Sequence, residues 1–268
     1  MDELILSRMT GNVAWLTFNR PAQRNAMTNE MLDIFFSKLQ AMDADPEVRC
    51  IVANGAGGNF IAGGDVKSWD RLKAMTPDER GQDFRERLDP VLPMIEYIDT
   101  MDTPFIVAPQ GFSAGAGISF VLAADFVIAD ETAKFLFANI RMSLVPDMGI
   151  THFLPRLTGP RRAMELALFG SQIDAMQAKA DGIVDEVVAT DALEAAIMDR
   201  AGKIAAAPAR AVAETRKLLR SSRFRSLGEQ LCAETDGIAL CSREDDFIEA
   251  ITAFAERRPA AFGARKSA

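Results

Sequence analysis

Two stretches of small residues have the make-up of a site for a developing negative charge. Phe60-Ile61-Ala62-Gly63-Gly64-Asp65 and Gly111 to Gly117 each follow a short apolar, strand-like run and lead into a helical pattern. A strand-to-helix turn of this kind leaves backbone N–H groups without partners at a helix start. The helix dipole adds partial positive charge there. With Gly and Ala in place of larger residues, an oxyanion can come close to the chain. Neither stretch is a P-loop, since no Gly-Lys-Ser/Thr follows, and Gly111, Gly115 and Gly117 do not have the Gly-x-Gly-x-x-Gly dinucleotide spacing. A third feature is Asp147, which follows Val145-Pro146 and precedes Met148-Gly149. Proline fixes the chain entering the turn and glycine lets it leave. The flanking Leu144, Val145, Met148 and Ile150 are apolar, so desolvation would raise the carboxyl pKa toward that of a working base. The same aspartate, ahead of a short helix, also reads as a helix N-cap.

Other chemistries are restricted by counts. The chain has one histidine, His152, so a Ser-His-Asp or Cys-His mechanism would have to run through it, and a His-rich metal site is excluded. No metal site is expected. His152 reads as a packing residue, and Ser113 and Ser119 lack a base partner that would make them nucleophiles. Cys50, Cys232 and Cys241 have no paired spacing and read as buried apolar residues of a reducing compartment.

The elements that must carry these residues follow from periodicity. Glu3 to Met9 and Asn12 to Phe18 form a hairpin across Thr10-Gly11. Thr28 caps a helix whose apolar face is Met31, Ile34, Phe35, Leu39 and Met42. Val48 to Ala53, Phe105 to Ala108, Asp125 to Ala129, Lys134 to Phe137 and Gly182 to Val188 read as strands. Residues 65 to 100 read as charged helix broken at Pro77, Pro90 and Pro93, and helices are expected over Ile118 to Ala124, Gly159 to Phe169 and Asp174 to Ala180. From about Asp191 the pattern is helical, with a new helix at Pro208. This is an α/β core, residues 1–200, with a helical C-terminal region, residues 201–268.

The 268 residues carry 30 basic and 38 acidic side chains, a net charge of −8, which disfavours a nucleic-acid surface but leaves room for an anionic small ligand at a local basic patch. No apolar run reaches the ~18 residues of a membrane span. The acidic start Met1-Asp2-Glu3-Leu4 is unlike a signal peptide. A cytoplasmic protein is expected.

Six segments together resemble the crotonase superfamily, the enoyl-CoA hydratase/isomerase family. Asn19-Arg20-Pro21 through Asn25-Ala26-Met27 resembles N-R-P…N-A-[LM], and Phe60 to Lys67 resembles F-x-A-G-x-D-[LI]-K. Gln110-Gly111 through Ser119 resembles N-G-x-A-x-G-G-G-x-[ES], and Leu144 to Asp147 with Leu154-Pro155-Arg156 resembles L-x-P-[DEG]-x-G followed by L-P-R. Ala180 to Asp185 and Phe254 to Arg258 extend the match to the tail. The resemblance implies a crotonase-like spiral of ββα units with an α-helical C-terminal trimerisation region, hence a homotrimer or a dimer of trimers. It implies an acyl-CoA thioester substrate, with no separate cofactor because coenzyme A is part of that substrate. The thioester oxygen would be held by the N–H groups of Gly64 and Ala116. Coenzyme A contacts would fall on Ala26, Ala62, Gly64, Asp65, Val66 and Lys67, with Arg24 approaching the phosphates and Arg257, with Arg258, reaching a phosphate or lying on a solvated helix face.

Hydratases of this family hold a water with two glutamates, and those positions fall here on Ser119 and Asn139, neither of which is a general base at neutral pH. Relatives that move a double bond carry their acid/base carboxylate where this chain has Asp147. The resemblance therefore implies a Δ3-Δ2-enoyl-CoA isomerase-type reaction with Asp147 as acid/base. The alternatives are a hydratase or another crotonase-fold lyase or hydrolase, and an acyl-CoA-binding homologue with little catalysis. Asp125 and Asp130 read as strand-end residues. The acyl pocket is expected to take its shape from residues 70 to 100 and the start of the C-terminal helices.

Overall fold

A computed structural model describes residues 3–263, without the Lys67 side chain. Met1, Asp2 and residues 264–268, the outer ends of the two expected regions, lie outside the described residues. The strands are β1 (Ile5–Thr10), β2 (Val13–Phe18), β3 (Cys50–Gly55), β4 (Phe105–Ala108), β5 (Phe112–Ala114), β6 (Phe126–Asp130), β7 (Lys134–Leu136), β8 (Gln172–Asp174) and β9 (Glu186–Val188). β1 and β2 form the expected hairpin, turning through Gly11 at a φ of +58°. From β2 on, the large sheet is parallel, in the order β1-β2-β3-β4-β6-β9, while β5-β7-β8 form a small second sheet. The chain passes from β4 to β5, back to β6, out to β7 and β8, and back to β9. This repeated passage between two sheets is the spiral that the sequence motifs imply.

Buried parallel strands must be apolar on both faces, and β3 and β4 are, with Ile51, Val52, Phe105, Ile106 and Val107 removed from solvent. On one side, Phe18 stacks on Phe35 at 5.0 Å, while Phe60 and Phe120 pack against Phe18 at 5.8 and 5.7 Å. Phe60 begins the first small-residue segment and Phe120 lies on the helix Ala116–Ala123 that follows the second, so this aromatic cluster anchors both. Each buried ring contributes about 1.5–3 kcal/mol.

Local signals account for most of the helices. The Thr28 side chain accepts from Met31 N–H at the head of the helix Asn29–Ala44. Residues 65–100 are divided at the three prolines as expected, each proline lying in the first turn of a new element. Pro77 opens the helix Pro77–Leu88 behind a Thr76/Glu79 capping box, and Pro93 lies in the first turn of Leu92–Thr100. A first-turn N–H has no intrahelical acceptor, so proline loses nothing there.

The helix Leu193–Ala205 spans the expected 200/201 boundary and packs Leu193, Ile197 and Ala201 against Trp15, Val52 and Ile106 of the large sheet. The next helix, Ala209–Ser221, is docked by buried charge. Arg216 bonds Asp125 Oδ2 at 2.7 Å and the carbonyls of Ile98 and Met101, and Arg220 pairs with Asp125 at 2.6 Å and Asp99 at 2.9 Å. Asp125 also accepts the Phe105 N–H, and Asp130 holds Thr132, Gln110 and Thr190. Both aspartates are committed to the frame at strand ends.

Cys50 is buried, but Cys232 is exposed and Cys241 half-exposed. The expectation of three buried cysteines fails because the helix Leu227–Cys241 buries only Gly237.

Candidate active site

The two small-residue segments meet backbone to backbone. Ile61 bridges Ser113 in parallel, with Ala114 N–H donating to Ile61 O at 2.9 Å. Gly63 has φ +102° and Gly115 φ +47°, and a Cβ on Gly115 would lie 3.6 Å from Gly63 Cα. A Cβ on Gly117 would fall 2.4 Å from Ile61 O, inside any real contact distance. Gly117 is therefore required by the approach of one chain segment to another, and Gly63 and Gly115 are favoured by their positive φ.

This contact aims two N–H groups into one space. Gly63 O accepts from Met27 N–H at 2.8 Å, and Asp65 N–H donates to Met27 O at 3.1 Å. In an extended chain the group between them faces the other way, so Gly64 N–H is turned from Met27. Ala116 is the first residue of the helix Ala116–Ala123, where no intrahelical acceptor exists. Among the described residues neither N–H has an acceptor. Gly64 and Ala116 both line a cavity of about 540 Å³. Two unspent donors, one on a helix dipole, suit an oxygen that gains negative charge.

Asp147 lines the same cavity. The helix Ile150–Thr158 has Gly149 as its N-cap and no side-chain cap, so Asp147 does not cap it. Burial pushes the Asp147 carboxyl above its ordinary value, partly offset by a hydrogen bond from Asn139. The Asn139 amide Nδ2 lies 3.4 Å from Asp147 Oδ1 and 3.2 Å from Val145 O. Ser119, buried on the Ala116–Ala123 helix, donates from Oγ to Asp147 O at 3.5 Å. Ser119, Asn139 and Asp147, separated by up to 28 residues in sequence, thus come together. The cavity's other carboxylate, Asp65, pairs with Arg20 at 3.2 Å. Among the described residues Asp147 has no cationic partner.

The remaining positions fall around this centre. Ala62 and Val66 line the cavity with Asp65. Ala62 N–H donates to Arg24 O, and Ala26 O accepts from Arg20. Arg24 is exposed, its guanidinium 5.2 Å from the Phe112 ring centre. The Lys67 side chain lies outside the described residues. Arg257 is exposed at the end of the helix Asp245–Glu256, and Arg258 is held by Glu249 at 2.6 and 2.8 Å. Neither arginine lines the cavity in this chain. His152 stacks on Phe224 at 5.9 Å and does not line it either.

Three features were missed from sequence. Asn25 is fully buried, accepts from Arg20 N–H and donates to Ala56 O and Asn59 O, fixing the loop before Met27. Its place in the N-R-P…N-A motif was the available signal. Arg71 and Arg87 converge on Asp83 in the cavity wall. The apolar wall is Leu32, Trp69, Phe84, Val91, Leu144 and Met148, and no described residue beyond Met148 lines the cavity. The expected contribution of the C-terminal helices is thus absent from this chain's own pocket.

A family model described as enoyl-CoA hydratase/isomerase matches residues 8–265. The chain is 33% identical over 262 residues to a 1,2-epoxyphenylacetyl-CoA isomerase of Escherichia coli, covering 98% of this chain and 99% of that one. It is 30% identical over 261 residues to a crotonyl-CoA hydratase of Syntrophomonas wolfei, covering 97% and 98%. The crystal structure of an enoyl-CoA hydratase from Bacillus anthracis matches with a TM-score of 0.89 at 28% identity, over 97% of this chain and 99% of that one. Matched over nearly its whole length by the family model and by these relatives, the chain belongs to the enoyl-CoA hydratase/isomerase family, whose members act on acyl-CoA thioesters.

Proposed function

We propose that this chain moves a double bond in an acyl-CoA from the 3- to the 2-position, with Asp147 as the single acid/base group. The observation that carries this is the pairing in one cavity of two unspent N–H donors with one carboxylate that burial makes more basic. The carboxylate takes the proton from C2. Electron density moves onto the thioester oxygen, which the N–H groups of Gly64 and Ala116 receive, and each such donor is worth roughly 2.7–4 kcal/mol in a transition state. The acid then returns the proton at C4, leaving the C2–C3 bond double and conjugated. No water or redox partner enters the balance, and coenzyme A is part of the substrate, so no separate cofactor is needed.

Hydration would require a second group to activate water. Ser119 and Asn139 are neutral, and both are engaged with the Asp147 segment. The apolar wall of Leu32, Val91, Leu144 and Met148 also favours proton transfer over water addition. The contacts of Ala26, Ala62, Asp65, Val66 and Lys67 with coenzyme A, and of Arg24 and Arg257 with its phosphates, belong to this proposal. So does assembly as a trimer or dimer of trimers, supported by exposed Leu227, Ile238, Ile248 and Phe254 on the last two helices.

Asp147→Asn keeps the shape and removes the base. With a 3-enoyl-CoA it is expected to lower kcat by about 10²–10⁴-fold. Activity near wild type, or water addition to crotonyl-CoA by the wild-type protein at a comparable rate, overturns the proposal.

A further inference from the structure

We propose that Asn139 is the positioning residue of this site, holding the Asp147 loop in place and occupying Asp147 Oδ1 so that Oδ2 is the oxygen that carries the shuttled proton. The inference rests on the isomerase reading and deepens it.

The loop from Ser143 to Gly149 is not a conformation a chain adopts for free. Ser143, Met148 and Gly149 have φ values of +58°, +46° and +84°. A left-handed non-glycine residue costs about 1–2 kcal/mol, and two of the three have side chains. Strained segments of this kind persist when their surroundings over-determine them. Asn139 supplies much of that determination. Its backbone carbonyl accepts the N–H groups of Leu144 at 3.0 Å and of Ser143. Its amide nitrogen has two hydrogens and two acceptors in reach, Val145 O at 3.2 Å and Asp147 Oδ1 at 3.4 Å. One residue therefore grips the loop at 143, 144, 145 and 147. Ser119 adds a clip from the helix that carries Ala116, donating to Asp147 O at 3.5 Å. The base is thereby referenced to the oxyanion donor.

The amide also distinguishes the two carboxylate oxygens. A side-chain amide N–H donates to a carboxylate oxygen and to the carbonyl oxygen of a neutral acid, and poorly to its hydroxyl oxygen. Protonation therefore falls on Oδ2, and the same oxygen that takes the C2 proton delivers it to C4. A base that used both oxygens would have to rotate between steps. Among the described residues, the charged groups lining the cavity with Asp147 are Asp65, Arg71 and Arg87. They are paired with Arg20 and Asp83, and none of them is among the influences on the Asp147 carboxyl.

Asn139→Leu removes the donor at similar volume, and Asn139→Asp keeps the shape while replacing the donor with an acceptor. Both are assayed as full-length protein across pH with a 3-enoyl-CoA, beside Asp147→Asn. The expectation for Asn139→Leu is a kcat about 10–100-fold lower, the scale of a misplaced catalytic group, with KM within about threefold. The acidic limb of the rate profile should move to higher pH, because a donor to the carboxylate form is gone. Asn139→Asp should move the limb further, since a second carboxylate then faces the first. An acidic limb that stays in place in both variants overturns the inference, whether or not kcat falls, because a role in loop packing alone would leave the limb unmoved. If Asp147→Asn is itself near wild type, the isomerase reading fails first. If Asp147→Asn is inactive and the Asn139 limb is fixed, only the positioning role fails.

Discussion

The two sides of the cavity are built from different material. On one side, the backbone N–H groups of Gly64 and Ala116, which the proposed reaction uses for the negative charge, are fixed by the contact between Gly63, Gly115 and Ile61. On the other, the proposed base is one side chain, Asp147, on a loop with three left-handed residues. A backbone donor survives many side-chain changes but no intrusion of bulk. A side-chain base depends on the neighbours that hold it and vanishes with one substitution. The difference shows how a family can keep the intermediate it stabilises while changing the reaction. The first side depends on how closely two backbone segments approach, and the second can be rewritten residue by residue. Ser119 and Asn139 are where this chain's second side is written.

The largest expected effect lies on the side-chain side. Asp147→Asn should lose about 10²–10⁴-fold in kcat with KM held. The same variant should gain thermal stability at neutral pH. Burial raises the Asp147 pKa in the folded chain, so the folded state keeps this proton to a higher pH than the unfolded chain does. Stability associated with the group is fullest in acid and falls as pH rises through the raised value. A Tm advantage of the variant at pH 7 that shrinks toward the ordinary carboxylate range is the outcome to look for. On the backbone side, Ala116→Pro deletes one N–H at a first helical position that accepts proline. It should lower kcat by about 10²–10³-fold while circular dichroism stays native. Equal loss in isomerisation and in C2 proton exchange with solvent would mark it as an enolate effect. Gly117→Ala should act through structure, its new Cβ meeting Ile61 O at 2.4 Å. A loss of about 1–3 kcal/mol in a denaturant titration is expected, with activity lost in parallel. His152→Gln, on a residue outside the cavity, should change kcat/KM by less than about twofold and stability by roughly 0.5–1.5 kcal/mol, the worth of a ring contact.

What could be read from sequence divides along the same line. The hairpin across Gly11, the Thr28 cap and the two glycine segments are local in origin, so residue type and spacing disclose them. β5 and β8 escaped because β5 lies inside a stretch of small residues and β8 is three residues wedged between two helices, and both are held by pairing with β7. Asp147 was legible as a desolvated carboxylate between Pro146 and Gly149, but its cap alternative could be removed only once Gly149 was seen to head the helix. Asn139 was legible only as a glutamate that is missing. Its grip on the loop depends on the positive φ values of Ser143 and Met148, which no residue type there announces. The breaks at Pro77, Pro90 and Pro93 were legible because a proline is tolerated only in the first turn of the element it begins.

The central claim, one carboxylate moving one proton between two carbons, has a direct test in isotope transfer. A 3-enoyl-CoA deuterated at C2 is converted in ordinary water, and the 2-enoyl product is examined for deuterium at C4. A measurable fraction carried from C2 to C4 in single turnover, abolished together with turnover in Asp147→Asn, is the predicted result. Complete loss of the label to solvent in fast-quenched product, with the Asp147→Asn rate unchanged, would contradict it.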